Sequence, residues 1–432
     1  MPNRQTLSRS MASLAAMLLL LALLEQAAAL NLTVGPTDGD VVGSDNFAIQ
    51  KAVDYVAKEG GGSVFVKSGT YCMYNALYLR TGVDVVGVGP APVLQKANGF
   101  KTKLAEDAGY ANDKIVVEDA SGLQAGMGIS FLDDANTSGW YVNVRTITKV
   151  DGKTLTLDEG LDLDYLIARN ARITTAGPVI FGKQVKVVRV ENLIADGNRS
   201  ANEPMDGCRG AAIYFWKSDH CSVVSCTARN YNGDGFSYQV SPYVTLSRCK
   251  SYRNSALGVH PGSGSEHTEV SGCEVYDNDG AGLFLDWRVR DSLFTDNQIQ
   301  KNGLDGISIG HKDTDNHFVG NTLERNGRHG VYFRAETEAN GGHRTTLENN
   351  VIRDNGQTAR GDGIHIEAAT HDITIRGNTI EDTGRDGRVT QQNGIYLGKG
   401  VDGVQTRGNT IGGHPGEVIV DQSGGLRNSL QF

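Results

Sequence analysis

From Ile213 to Gly416 the chain repeats itself in register, with similar segments opening at Ile213, Phe236, Val259, Leu283, Ile307, Val331, Ile364 and Ile395. The intervals are 23, 23, 24, 24, 24, 33 and 31 residues. A unit of that length cannot bury an apolar face alone, so the period means stacked units. Each opening is a short alternating stretch such as Ile307-Ser308-Ile309, bounded by glycine, which reads as a strand and not a helix.

Two polar columns fix what kind of stack this is. Cys226, Cys249, Cys273, Asn297, Asn321, Asn350, Asn378 and Asn409 form one; Asn230, Asn254, Asn278, Asn302, Asn326 and Asn355 form the other. Identical amides about 4.8 Å apart in a parallel coil can bond up and down the stack and satisfy the turn backbone. Leucine-rich repeats also carry an Asn column, but their leucine signature is absent. The expected fold is all-β, a parallel β-helix.

This pattern, with Asn192 to Asn198 and the Gly69-Thr70-Tyr71 turn, resembles the right-handed parallel β-helix or pectin-lyase-like superfamily. More narrowly it resembles the carbohydrate-binding and sugar-hydrolase repeat proteins that include mannuronan C5-epimerases and, more distantly, polysaccharide lyases. Val259-His260-Pro261-Gly262 is a partial match to the Asp-Pro-His-Glu motif of those epimerases. The resemblance implies a solenoid acting on a polysaccharide.

The flanking sequence sets the compartment. Arg4 and Arg9, the apolar run Met11 to Leu24 and Ala27-Ala28-Ala29 read as a cleaved secretory signal over residues 1–29. Its removal moves the formal charge from −9 to −10, an acidic balance that argues against nucleic acid as a partner. No later stretch is apolar enough to span a membrane. The protein is therefore expected in the periplasm or outside the cell.

Ser44-Asp45-Asn46 is an N-cap candidate before a helix over Phe47 to Lys58, which would plug the end of the coil. Between residues 100 and 176 the period is lost and short strands with tight turns suggest a β insertion, with Trp140 and Tyr141 on strand or rim. Residues 30–432 are otherwise one β-helix domain. The cysteine column is expected as stacked free thiols, leaving Cys208 with Cys221 as the only plausible bridge.

Chemistry is expected on the outward positions of the repeated strand. Position two gives Tyr214, Ser237, His260, Phe284, Ser308, Tyr332 and His365; position four gives Trp216, Gln239, Gly262, Asp286, Gly310, Arg334 and Glu367. Position six gives Ser218 and Ser241, then Gly264, Arg288, Lys312 and Glu336. Gly262 and Gly310 would leave open notches on either side of Asp286.

His260, Asp286, His311 and Arg334 are the candidate catalytic residues. Trp216, Gln239, Arg288, Lys312, Tyr332, Glu336, His365 and Glu367 are the candidate substrate contacts. Fixed cations to neutralise a sugar carboxylate, beside groups that move a proton, suit a uronate lyase or C5-epimerase. Alternatives are a glycoside hydrolase built on Asp286 and Glu336, and a non-catalytic glycan-binding coil. No cofactor is expected; Asp313 and Asp315 offer a calcium pair, and zinc lacks paired short spacings.

Overall fold

The computed structural model describes residues 29–136 and 144–431. The signal segment to Ala28, and Trp140 and Tyr141, lie outside the described residues. Three long parallel sheets of 14, 11 and 11 strands run the length of the coil. No helix among the described residues is long and apolar enough to cross a membrane.

The repeated openings stack in one of the 11-stranded sheets, in the register their spacing predicts: Ile213 beside Phe236, then Val259, Leu283, Ile307, Val331, Ile364 and Ile395. Their side chains are at most 2% exposed and fill the coil interior with those of Phe215, Leu285, Ile309 and Phe333. Position two accordingly faces away from the core, and this sheet is called the cleft sheet below.

Amide ladders pin the bends. In the second column Asn254, Asn278, Asn302, Asn326 and Asn355 each donate to the Oδ1 of the next, ending on Oε1 of Gln391, at 2.9–3.0 Å. In the first, Asn297, Asn321, Asn350 and Asn378 do the same, ending on Oδ1 of Asn409. The backbone N–H of Cys249 and Cys273 continue that line onto Cys273 Sγ and Asn297 Oδ1.

Asn230 is not part of its assigned column. It sits at a left-handed turn position, φ 49°, and donates to Asp196, while Tyr231 takes the ladder place and gives its N–H to Asn254 Oδ1. All six cysteines are free thiols, so the Cys208–Cys221 bridge is absent. Cys221 is buried in the 14-stranded sheet, whereas Cys208 lies on a loop outside the cleft sheet.

Helix α1 (Asn46–Lys58) closes the N-terminal end, with Asp45 Oδ1 accepting the Ala48 N–H at 3.0 Å. Residues 101–174 contribute a separate six-stranded antiparallel sheet with its own apolar cluster around Phe131, Ile147 and Tyr165.

Candidate active site

The bend that ends the cleft sheet decides which side chains reach solvent. Some rungs make it with one left-handed residue, as at Lys217 and Val240, each at φ 52°. The next inward residue then turns back to the core, so Ser218 and Ser241 are fully buried. They form a ladder in which Ser218 N–H donates to Ser241 Oγ and Ser241 N–H to Ser265 Oγ. Position six therefore points in, not out, in these rungs.

The bend is one residue longer in the next three rungs, at Ser263-Gly264 (φ 52° and 79°) and then, without glycine, in two neighbours. Trp287 and Arg288, at φ 63° and 66°, and His311 and Lys312, at 50° and 66°, place two consecutive non-glycine residues in the left-handed region. Such residues cost about 1–3 kcal/mol each and persist where the surroundings enforce them. The longer bend throws Trp287, Arg288 and Lys312 into solvent and stacks Trp287 on His311 at 4.8 Å.

Between these bends and the rung before them runs a line of alternating carboxylates and imidazoles. Asp234 Oδ2 accepts from His260 Nδ1 at 2.7 Å; His260 Nε2 faces Asp286 Oδ2 at 3.9 Å. The other oxygen of Asp286 pairs with His311 Nδ1, and His311 Nε2 meets Glu336 Oε1 at 2.8 Å. Burial pushes His260 down, but Asp234 and Asp286 outweigh it and raise it to about 9. Burial likewise opposes ionisation of Asp286, and the two imidazoles overcome it, holding the carboxyl well below the usual range.

Arg334 lies beneath this line. Its guanidinium covers the Phe284 ring at 4.3 Å and donates to Ser308 Oγ at 3.0 Å and Leu285 O at 2.7 Å, with Asp313 Oδ2 at 3.5 Å. Only 13% of the side chain is exposed. It is a buried support for the site, and the exposed cations beside the cleft are Arg288 and Lys312.

The glycine notches are filled. A Cβ on Gly262 would meet Gln239 Oε1 at 2.5 Å, and one on Gly310 would meet Arg334 Nε at 2.8 Å. Glycine is needed there because neighbouring side chains cross the strand. Gln239 is itself fully buried and bonded to Ser237 Oγ, so it offers no substrate contact.

Asp313 ends the buried serine column, accepting from Val289 N–H and Gly310 N–H. Burial pushes its carboxyl up to about 7 against the pull of Arg334. Asp315 instead holds Arg344 through both oxygens at 2.7 Å. The two carboxylates weighed as a calcium pair are committed to separate partners.

A loop roofs the early rungs. Ser237 Oγ donates to Gly207 O at 2.7 Å and Tyr214 hydroxyl to Cys208 O at 2.8 Å, which buries His260 to 4% exposure. Trp216 stands at the rim of a cleft of about 290 Å³ between this loop, the coil and the antiparallel sheet, lined also by Tyr78, Arg145, Tyr214 and Cys208.

Tyr332, His365 and Glu367 belong to a second group farther along. His365 bridges Asp362 at 2.6 Å and Glu367 at 2.7 Å and stacks on Tyr396, while Tyr332 is covered by Arg328 and His329. From His260 to Tyr396 the face spans five strand spacings, about 24 Å.

Asp234, His329 and Asp362 are site residues that the sequence reading did not single out. All three fall two positions before a strand opening, in a column that also holds Asp305 and Asn393. That column was the available signal. Cys208 gave none, because its loop does not repeat.

The fold and its outward-facing groups define a right-handed parallel β-helix with a polar cleft along one sheet. Residues 178–338 and 335–430 match the family described as the right-handed β-helix region, and the chain belongs to that family. No curated protein sequence matches the chain.

Among solved structures it is similar to the A-module of the Azotobacter vinelandii mannuronan C-5 epimerase AlgE4: 15% identity, TM-score 0.59, covering 92% of this chain and 100% of that one. It is similar to a glycoside hydrolase at 12% identity and TM-score 0.55, covering 91% and 97%. It is also similar to the Dettilon tailspike protein at 14% identity and TM-score 0.55, covering 92% and 67%. At these identities the likeness is one of fold.

Proposed function

We propose that this protein is a secreted enzyme that acts on a uronate-containing polysaccharide by removing the proton beside the sugar carboxylate, as a lyase or C5-epimerase does. The observation that carries this reading is the Asp286–His311–Glu336 line beside the exposed cations Arg288 and Lys312. A carbon acid next to a carboxylate becomes removable when that carboxylate is neutralised, which is the task of Arg288 and Lys312. His311, held between two carboxylates, is placed to pass a proton between them and the sugar ring.

Trp287 stacked on His311 offers a flat face for the ring. Asp234 and His260 hold the other side of Asp286. The mannuronan C-5 epimerase likeness supports the reading as a precedent on this fold.

Incubating the mature chain with acidic and neutral polysaccharides tests it. Ultraviolet absorbance of unsaturated ends marks a lyase; altered uronate stereochemistry without cleavage marks an epimerase. Reducing ends released from neutral polymers alone would overturn it. That outcome would favour the hydrolase, for which Asp286 and Glu336 stand on opposite sides of one imidazole, in keeping with the roughly 5–9.5 Å separation such pairs need.

A further inference from the structure

We infer that Cys208, His260 and Asp286 form a site for one divalent cation of the zinc class, with Asp234 orienting the imidazole. A sulfur, a ring nitrogen and a carboxylate oxygen of these three residues all lie within 4.8 Å of one another. The separation of His260 Nε2 from Asp286 Oδ2, 3.9 Å, is too long for a hydrogen bond. It lies close to the edge of a tetrahedron, about 3.4 Å for two ligands bound near 2.0–2.1 Å.

The imidazole is the independent witness. Its side chain is 5% exposed, and Nε2 is buried with no hydrogen-bond partner among the described residues, an arrangement that costs free energy unless something is bound there. Asp234 accepts only, so His260 Nδ1 carries the hydrogen of their 2.7 Å bond, and a metal in the gap would take the place of the proton on Nε2. Carboxylate, imidazole and metal in that order is how proteins fix a ligating histidine.

The donor set names the ion. Sulfur, nitrogen and a single carboxylate suit zinc and its neighbours, whereas calcium wants six to eight oxygens. Cys208 also lines the 290 Å³ cleft beside Trp216, so a fourth coordination position is reachable from the cleft.

The second histidine group is an internal contrast. His329 Nδ1 accepts the Asp362 N–H at 3.0 Å, so its remaining hydrogen is on Nε2 and neither nitrogen has a free lone pair for a metal. The Cys208 site is invisible to motif spacing because its ligands come from a loop and two separate rungs.

The test is optical and needs no turnover, so it stands or falls separately from the polysaccharide reading. Chelator-stripped mature protein is titrated with Co²⁺ and then Zn²⁺, as wild type, Cys208→Ser, His260→Gln and Asp234→Asn, with circular dichroism as the check on folding. Wild type should take up one equivalent of Co²⁺ with a sulfur-to-metal charge-transfer band that Zn²⁺ abolishes. Zn²⁺ should also protect Cys208, but not Cys72, from alkylation of the native protein, read by peptide mass spectrometry.

Cys208→Ser should lose the band, and His260→Gln should lose saturable uptake. Asp234→Asn should keep the band with affinity reduced about 10- to 100-fold. Co²⁺ uptake without the band, equal affinity in folded Cys208→Ser, no saturable uptake by wild type, or alkylation of Cys208 at the same rate with and without Zn²⁺ would each overturn the inference.

Discussion

At Arg334 and Arg288, two arginines two rungs apart, environment separates roles that side-chain type cannot. Arg334 lies over the Phe284 ring and spends its guanidinium on Ser308 and a backbone carbonyl, so Arg334→Lys should lower stability by about 1–3 kcal/mol, read as a shifted denaturation midpoint. Arg288→Ala should leave that midpoint unchanged and raise KM for a uronate polymer. If Arg334→Lys instead alters turnover with the midpoint unmoved, its guanidinium reaches substrate and the assignment is reversed. His311→Ala removes the group linking Asp286 and Glu336, and kcat on the responsive polymer should fall about 10²- to 10⁴-fold, the usual share of positioned proton transfer.

At the scale of the element, the period that organises the chain also explains what it conceals. Aligning strand openings places Ile213 through Ile395 correctly because every rung needs an apolar residue there, and the amide ladders follow because every bend must satisfy its N–H groups. The candidate site departs from the period. Asp234, His329 and Asp362 precede the strands; Cys208 comes from a unique loop; the paired left-handed residues at Trp287-Arg288 and His311-Lys312 shift which side chains emerge. Period-two alternation assumes extended backbone, so it fails one residue into the bend, at Ser218 and Ser241.

The His329 column yields a pH prediction. Burial, then His365, depress His329 to about 3, against about 6.5 for an exposed histidine. Between those values only the unfolded chain takes up this proton, so the contribution is fully present above pH 6.5 and is lost as pH falls toward 3. Urea midpoints of wild type and His329→Gln, measured from pH 7 to 4, should converge or cross as pH falls. A constant difference would show that His329 titrates alike in both states.

On the scale of the whole molecule, a coil of parallel sheets has an edge problem at its ends, and helix α1 meets it at the N-terminal one. Leu77–Tyr78 is the last strand of the cleft sheet, and its outer edge would present free N–H and C=O groups to other chains. Gln50 on α1 covers both: Nε2 donates to Tyr78 O at 3.0 Å and Oε1 accepts from Tyr78 N at 2.8 Å, while Asn46 Oδ1 accepts from Tyr74 N at 2.9 Å. On the same helix Ile49, Ala52, Val53 and Val56 are fully buried as part of the coil's own apolar cluster. The helix is thus joined to the coil by apolar burial and by side-chain amides that stand in for one more strand. Val53→Asp places a carboxylate in that dry interface and should free the helix, whereas Gln50→Ala removes only the edge cover. Light scattering and chromatography should therefore find concentration-dependent assembly in both, with a large fall in denaturation midpoint for Val53→Asp alone. If Gln50→Ala stays monomeric at every concentration while Val53→Asp assembles, the helix protects the coil by covering apolar surface, and its amides have no part in blunting the edge.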